Sequence, residues 1–317
     1  MNDFETTIGR WWVASRPTEV AAGYLDLDQA TPGGPFRLTV DGKLADPPGP
    51  GVERNMTVHG QTPLGPFTIL RASPTRWSRH SPGSPMQIWH GWQLIRGGHA
   101  LADETFAHAQ FQLPHLWDWI SPTELNYHTM GTRAPRPTPD EPGDVLTAVL
   151  SDGVEVTLGR GFNEMTGRAG ESWEGYGSYA VRRDEGVTLE RLGEIVLALS
   201  RLHAVLCATP MEAYALSLRH DLGAESRELR IVDAAPPEGE AWGQRGLPDP
   251  FFDTSEVDFG AFIRSWLDLH SSATGAVAAA APRDDRSFVT SKIVELCNGA
   301  EELAGLKWGS PESSAED

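Results

Sequence analysis

Residues 57–70 read TVHGQTPLGPFTIL, and the way this stretch folds decides the rest of the chain. Val58 begins an extended run, Gly60 to Gly65 supplies turn residues, and Phe67, Ile69 and Leu70 give the return arm aromatic and aliphatic strand character. The stretch predicts a β-hairpin. Short apolar runs broken by Gly and Pro continue on both sides, so the front of the chain predicts strands while helical periodicity is held back to the end.

Upstream, Tyr24, Leu25 and Leu27, the turn TPGGP, and Phe36, Leu38 and Val40 predict two strands, with 41–53 as a Pro/Gly loop. Downstream, 73–85 reads as turn-rich. MQIWHGWQLI (86–95) predicts a buried strand with Ile88, Trp92 and Leu94 on one face. Phe106 to Leu113 alternates, and LWDWI (116–120) places Trp117 and Trp119 near the end of this unit. Residues 132–143 carry four prolines in twelve positions and predict a linker.

Past that point Asp152-Gly153 between alternating runs predicts a second hairpin. Tyr176 to Val181, Tyr214 to Leu218 and Leu229 to Val232 predict further strands. Thr188 caps an amphipathic helix, 188–207, whose Leu189, Leu192, Ile195, Val196, Leu199, Leu202 and Leu206 recur at helical spacing and which crosses the second sheet. Ser255 with Asp258 resembles a capping box ahead of a helix with Val257, Phe259, Phe262, Ile263, Trp266 and Leu269 as its buried stripe, running on into Ala276–Ala281. A last helix would bury Phe288, Ile293, Leu296, Cys297 and Leu303.

The expected fold is therefore α+β, mainly β. Two β-sandwich-like units, the second crossed by the helix, precede a helical C-terminal segment. The expected domains are 1–131, a linker at 132–143, a second β-rich domain at 144–250, a helical segment at 251–309 and an acidic tail at 310–317.

Composition excludes several classes. The 317 residues carry a formal charge of −18, which opposes a sequence-independent grip on nucleic acid. No run approaches the roughly 18 to 20 apolar residues of a membrane span, and the acidic N-terminus lacks a signal-peptide core, so a cytoplasmic protein without direct membrane binding is expected. The only cysteines, Cys207 and Cys297, read as buried thiols.

The succession Gly23-Tyr24-Leu25, the hairpin His59-Gly60-Gln61-Thr62 through Phe67-Thr68-Ile69-Leu70, Gly98-His99, Phe106, and Leu116 with Trp119 resembles the N-terminal domain of ApeA-type bacterial anti-phage proteins. The helix around Trp266 and the run Phe288 to Leu306, with Glu301-Glu302-Leu303, agree in order. The resemblance implies an abortive-infection system in which such a C-terminal helix opens a HEPN ribonuclease domain, here truncated or absent. It further implies a sensor or regulatory portion that binds a phage-derived or cellular trigger and controls a HEPN-type RNase, with that nuclease domain, or self-association through 285–306, as the partner contact.

The family's nuclease site uses the string R-N-x-x-x-H on a helix. Arg54-Asn55-Met56-Thr57-Val58-His59 matches the letters, making Arg54 and His59 the catalytic candidates. The context opposes them, because residues five apart on a strand face opposite sides. No helical context for the motif is found, and the reading leans away from an enzyme.

Seven of the ten histidines, His59, His80, His90, His99, His108, His115 and His128, fall in the first β unit without metal-ligand spacing, so neither metal nor cofactor is expected. Trp89, His90 and Trp92, with Trp117 and Trp119, are candidates for an aromatic ligand platform, against the plainer reading of core packing. That platform carries the rival function, a β-sandwich carbohydrate-binding protein or glycan hydrolase. Glu171 and Glu174, in a Gly-rich stretch read as a solvated loop at 161–177, are the corresponding acid pair.

Overall fold

The fold was obtained as a computed structural model, which describes residues 6–27, 36–45, 55–79, 85–114, 116–120, 146–167, 170–221, 228–232, 254–281, 298–299 and 302. The expected linker at 132–143, the acidic tail, Arg54, His80, His115, His128, Cys297 and the apolar stripe of the last helix lie outside these residues. The fold is mainly β. The chain forms two compact units: Met1–Gln110, Asp184–Leu189 and Tyr214–Ala241 make unit 1, and Phe111–Arg183, Glu190–Ala213 and Trp242–Asp317 make unit 2.

Unit 1 is built on a closed barrel where a sandwich-like unit was expected. Its strands are β1 (Thr6–Val13), β2 (Ala21–Asp26), β3 (Phe36–Asp41), β4 (Met56–Thr62), β5 (Gly65–Arg79) and β6 (Pro85–Gly91). Antiparallel pairing runs β1–β2–β3–β6–β5–β4 and returns from β4 to β1. Closure removes the exposed edges that six strands would otherwise present.

The quoted stretch is the hairpin β4–β5, joined at Thr62↔Gly65 around Pro63-Leu64. Thr62 Oγ1 accepts from Leu64 N at 3.0 Å and donates to Gly65 O at 3.1 Å, and Gly65 takes a left-handed φ of +104°. Residues 73–79, read as turns, instead continue β5. A register shift between Met56 and Val58, opposite a left-handed Arg71 (φ +50°), bends the strand so that its second half pairs with β6. Bulges of this kind let a sheet curl shut.

The barrel interior is filled by Trp11, Leu25, Leu38, Val58, Phe67, Ile69 and Trp89, among others. Gly60 stands opposite Trp11 in the β1–β4 register, and a Cβ there would collide with the six-membered ring of Trp11. The glycine in HGQT is thus the seat of an indole.

The strand at 86–95 corrects the expected face. Gln87, Trp89 and Leu94 are buried, whereas Ile88 is only half-buried and Trp92 is 59% exposed. The buried amide of Gln87 accounts for the inversion. Its Oε1 accepts from Leu44 N (3.0 Å), Ala45 N (3.4 Å) and Trp89 Nε1 (3.1 Å), and its Nε2 donates to Ala45 O (3.1 Å). Burial of an amide is tolerated when both of its ends are bonded.

Strand β7 (Gln93–Arg96) adds to β5 and continues through β13 (Leu229–Val232) to β12 (Tyr214–Arg219). Strand β8 (Thr105–Gln112) then carries the chain into unit 2.

Unit 2 contains an antiparallel sheet of β9 (Leu146–Val149), β10 (Glu155–Gly167) and the part of β11 (Gly170–Thr188) up to Arg183. The presumed loop at 161–177 is the far half of the β10–β11 hairpin, with Glu171 opposite Thr166 and Glu174 opposite Asn163. Helices α1 (Leu116–Ile120), α2 (Leu189–Leu206), α3 (Phe259–Ser272) and α4 (Thr274–Ala280), with a short 3-10 helix at Thr254–Glu256, are the helical elements. Helix α2 meets the sheet where His203 bonds Tyr179 of β11, and it meets α3 where Trp266 Nε1 donates to Ala198 O at 2.7 Å.

On α3 the buried residues are Phe259, Ile263, Leu267 and His270, while Phe262 and Trp266 are half-buried and Leu269 is exposed, so the stripe differs from the expected one. The helix also ends at Ala273 rather than running on, with α4 as a separate helix. Asp258 is its cap, accepting from Ala261 N at 3.0 Å.

Candidate functional site on the barrel

Alternation along β1 sends Thr7, Trp11 and Val13 inward and leaves Ile8, Arg10 and Trp12 on the outer face. Register sets Arg10 between Ala22 of β2 and Gln61 of β4, Trp12 beside His59, and Ile8 beside Tyr24. Side chains from three strands therefore share one surface. Ile8 is 72% exposed, Val20 50% and Tyr24 38%. Arg10, Trp12, Pro17, Val20, Ala22 and Gln61 line a depression of about 630 Å³.

One wall is unusually well braced. The rings of His59 and His99 stack with centroids 4.7 Å apart and planes 13° from parallel. His59 Nε2 lies 3.1 Å from Ala100 O and His99 Nε2 lies 3.2 Å from Gly60 O, so each ring bonds the backbone next to the other. A carbonyl only accepts, so both rings carry their proton on Nε2. Thr68 Oγ1, across from His59, adds bonds to Gly98 O and Ala100 N at 3.2 and 3.0 Å.

Trp12 stands edge-on to both imidazoles, at 5.1 Å from His99 and 6.1 Å from His59. Burial, reinforced by the neighbouring His99, lowers the pKa of His59 from its ordinary value against the opposing pull of Ala100 O and Glu104. The pair is accordingly neutral at His59 near pH 7, and its role here is to hold an indole in one orientation.

The sequence candidates are dispersed. Trp89 is sealed in the barrel with its N–H on Gln87, Trp92 points out from the same strand region, and His90 is half-buried. Trp119 is buried in unit 2, edge-on to His203 at 4.7 Å and tilted against Phe259 at 6.2 Å. Trp117 lies on α1 with its side chain outside the described residues. His59 is present at the site, but as a brace beside His99.

Sequence reading missed Arg10, Trp12, Gln61 and His99 as a group. The available signal was Trp11-Trp12 within an otherwise alternating run. Among the described residues no group of three or more His, Cys, Asp or Glu is placed to hold a metal ion, and no helix is long and apolar enough to cross a membrane.

The chain is thus mainly β, with a closed barrel that carries a braced, half-buried Trp12 on its outer face. The model of the family described as ApeA N-terminal domain 1 matches residues 6–266, and the chain belongs to that family. The match begins at the first residue of β1 and ends within α3. Membership associates the chain with anti-phage defence. Comparison with curated proteins and with solved structures gives no match.

Proposed function

We propose that this chain is the sensing and regulatory portion of a bacterial abortive-infection system, binding a phage-derived or cellular trigger and controlling a HEPN-type ribonuclease. The family match over residues 6–266 carries the reading. A barrel with rigid strands and a preorganised outer wall suits recognition, because the residues that meet a ligand need no ordering at the moment of binding.

A second feature supports coupling to an effector. Helical residues Gly299 and Glu302 fall in the run that resembles the opening of a HEPN domain, and both engage α4. Glu302 Oε2 accepts from Ala276 N at 2.7 Å, and a Cβ on Gly299 would press on Ala276 and Ala279. A close, hydrogen-bonded contact between α4 and that segment offers a path by which binding could be felt by a nuclease. On this reading the chain works in the cytoplasm.

The test is co-expression with the HEPN-encoding sequence from the same genomic neighbourhood, followed by phage challenge, with plating efficiency and cellular RNA integrity as readouts. Protection and RNA loss that require residues 6–266 are expected. Full protection by the nuclease without those residues would overturn the reading.

A further inference from the structure

We propose that the depression on the outer face of β1, β2 and β4 binds a single nucleotide, with its base against Trp12 and its phosphate at Arg10. The inference rests on the sensing role and gives that role a ligand chemistry.

Charge is the first argument. The chain carries 44 acidic against 26 basic residues, yet no carboxylate is among the described residues that line this depression. Glu19, on the adjoining loop, pairs with Arg16 at 3.7 Å. Asp26, the acid on the same face of β2, pairs in register with Thr6, four residues from Arg10 and hence about 13 Å along the strand. What the depression offers is a guanidinium, the amide of Gln61 and an indole. A guanidinium matches phosphate oxygens two at a time, which selects an anion over a neutral sugar.

Geometry is the second. Arg10 and Trp12 are two residues apart on one face, about 7 Å between Cα atoms, a spacing that lets one ligand place an anionic group on one and a flat ring on the other. The indole is held by two imidazoles, so a stacked base would pay little to order it. Ala22 beside Arg10 is small and leaves the space open, while Pro17 and Val20 close one side with apolar surface. A volume of about 630 Å³ is enough to accommodate a single nucleotide.

The test is calorimetric titration of the whole chain with AMP, ATP, GTP, CTP and UTP, alongside adenosine, inorganic phosphate, a maltooligosaccharide and a short oligothymidylate. At least one nucleotide is expected to bind. Arg10→Gln should weaken it tenfold or more while adenosine affinity stays unchanged, and Trp12→Leu should weaken both. Trp92→Leu, exposed elsewhere on unit 1, should change neither. Because Arg10 is exposed, its substitution leaves the barrel intact and keeps the test decisive even where Trp12→Leu folds poorly.

The assignment is overturned if no nucleotide binds, if Arg10→Gln binds as the parent does, or if the oligosaccharide or the oligothymidylate binds more tightly than every mononucleotide. A chain that binds no nucleotide and still confers protection removes this ligand alone. Protection that does not need residues 6–266 removes the sensing role itself.

Discussion

Each unit buries a polar centre, and the two use opposite chemistry. In the barrel the centre is Gln87, an amide whose four bonds fasten residues 44–45 and Trp89. In unit 2 it is His203 on α2 bonded to Tyr179 on β11 at 2.8 Å, with Trp119 edge-on to the imidazole and Phe111 stacked on the phenol. An amide has no proton to gain or lose between pH 3 and 11. A buried imidazole and phenol have one each, so a similar packing solution leaves the polar centre of the barrel indifferent to pH and makes that of unit 2 sensitive at both extremes.

The largest effect expected is from Gln87→Leu. The substitution leaves two backbone N–H groups, one carbonyl and the Trp89 indole N–H buried without partners. Each costs on the order of 1–3 kcal/mol, and backbone relaxation recovers part of it, so a loss of about 4 kcal/mol is expected in denaturant unfolding. Hydrogen exchange read by peptide should show protection falling across β1 to β6 and holding in α2 and β11. Equal loss in both units would break the comparison, since it would mean that they unfold as one.

The acid response sharpens it from the other side. Burial pushes the pKa of His203 down to about 3. The unfolded chain then takes up this proton near pH 6.5 and the folded chain does not. Unit 2 should lose about 1.4 kcal/mol per pH unit from this residue as pH falls from 6.5 towards 3, or about 2–3 kcal/mol by pH 4.5. Burial raises the Tyr179 pKa well above its ordinary 10.0. Stability present below pH 10 is therefore lost as pH rises through the alkaline range. The double variant His203→Leu with Tyr179→Phe removes both groups together and leaves neither orphaned. Its unfolding free energy should flatten with pH, apart from the contributions of His270 and of half-buried His59, whose pKa values are also lowered. An unchanged slope would show that acid sensitivity arises elsewhere.

Gly60→Ala should cost about 2 kcal/mol, because the new methyl group strikes Trp11 inside a filled barrel. Trp11→Phe in the same chain should recover part of that loss while costing stability by itself. Additive penalties in thermal melts would contradict the assigned contact.

What could be read in the chain beforehand follows from how local each signal is. The hairpin β4–β5 and helix α2 carry their own instructions: turn residues between alternating arms in one, leucines at helical spacing in the other. The β6–β7 region misleads because Gln87 faces the core and Trp92 faces water, a reversal that makes sense only once Leu44 and Ala45 supply the bonds. Strand β1 went unread because the adjacent Trp11 and Trp12 are both apolar while pointing to opposite faces. The Gly-rich run at 161–177 has little side-chain strand preference, and its partner strand supplies the pairing instead. The candidate site is less legible still. Trp12 meets His59 through the β4–β1 pairing that closes the barrel, and His99 arrives on the segment after β7, so no spacing along the chain encodes the group.

The smallest expected effects compare two local caps, one per unit. Thr62 holds the hairpin turn with its hydroxyl, and Asp258 accepts from Ala261 N to start α3. Both replace backbone partners that a chain end or turn lacks, so each substitution to Ala should cost about 1 kcal/mol. They should differ in what rescues them. Asn at 258 keeps the acceptor and loses only the favourable placement of a negative charge at a helix N-terminus, a loss of a few tenths of a kcal/mol that added salt should erase. Thr62 is buried and its hydroxyl both donates and accepts, so Val, which matches its shape, should recover none of the loss and show no salt dependence. If Asp258→Asn costs as much as Asp258→Ala, charge and not the bond to Ala261 N holds the helix start, and the parallel between the two caps fails.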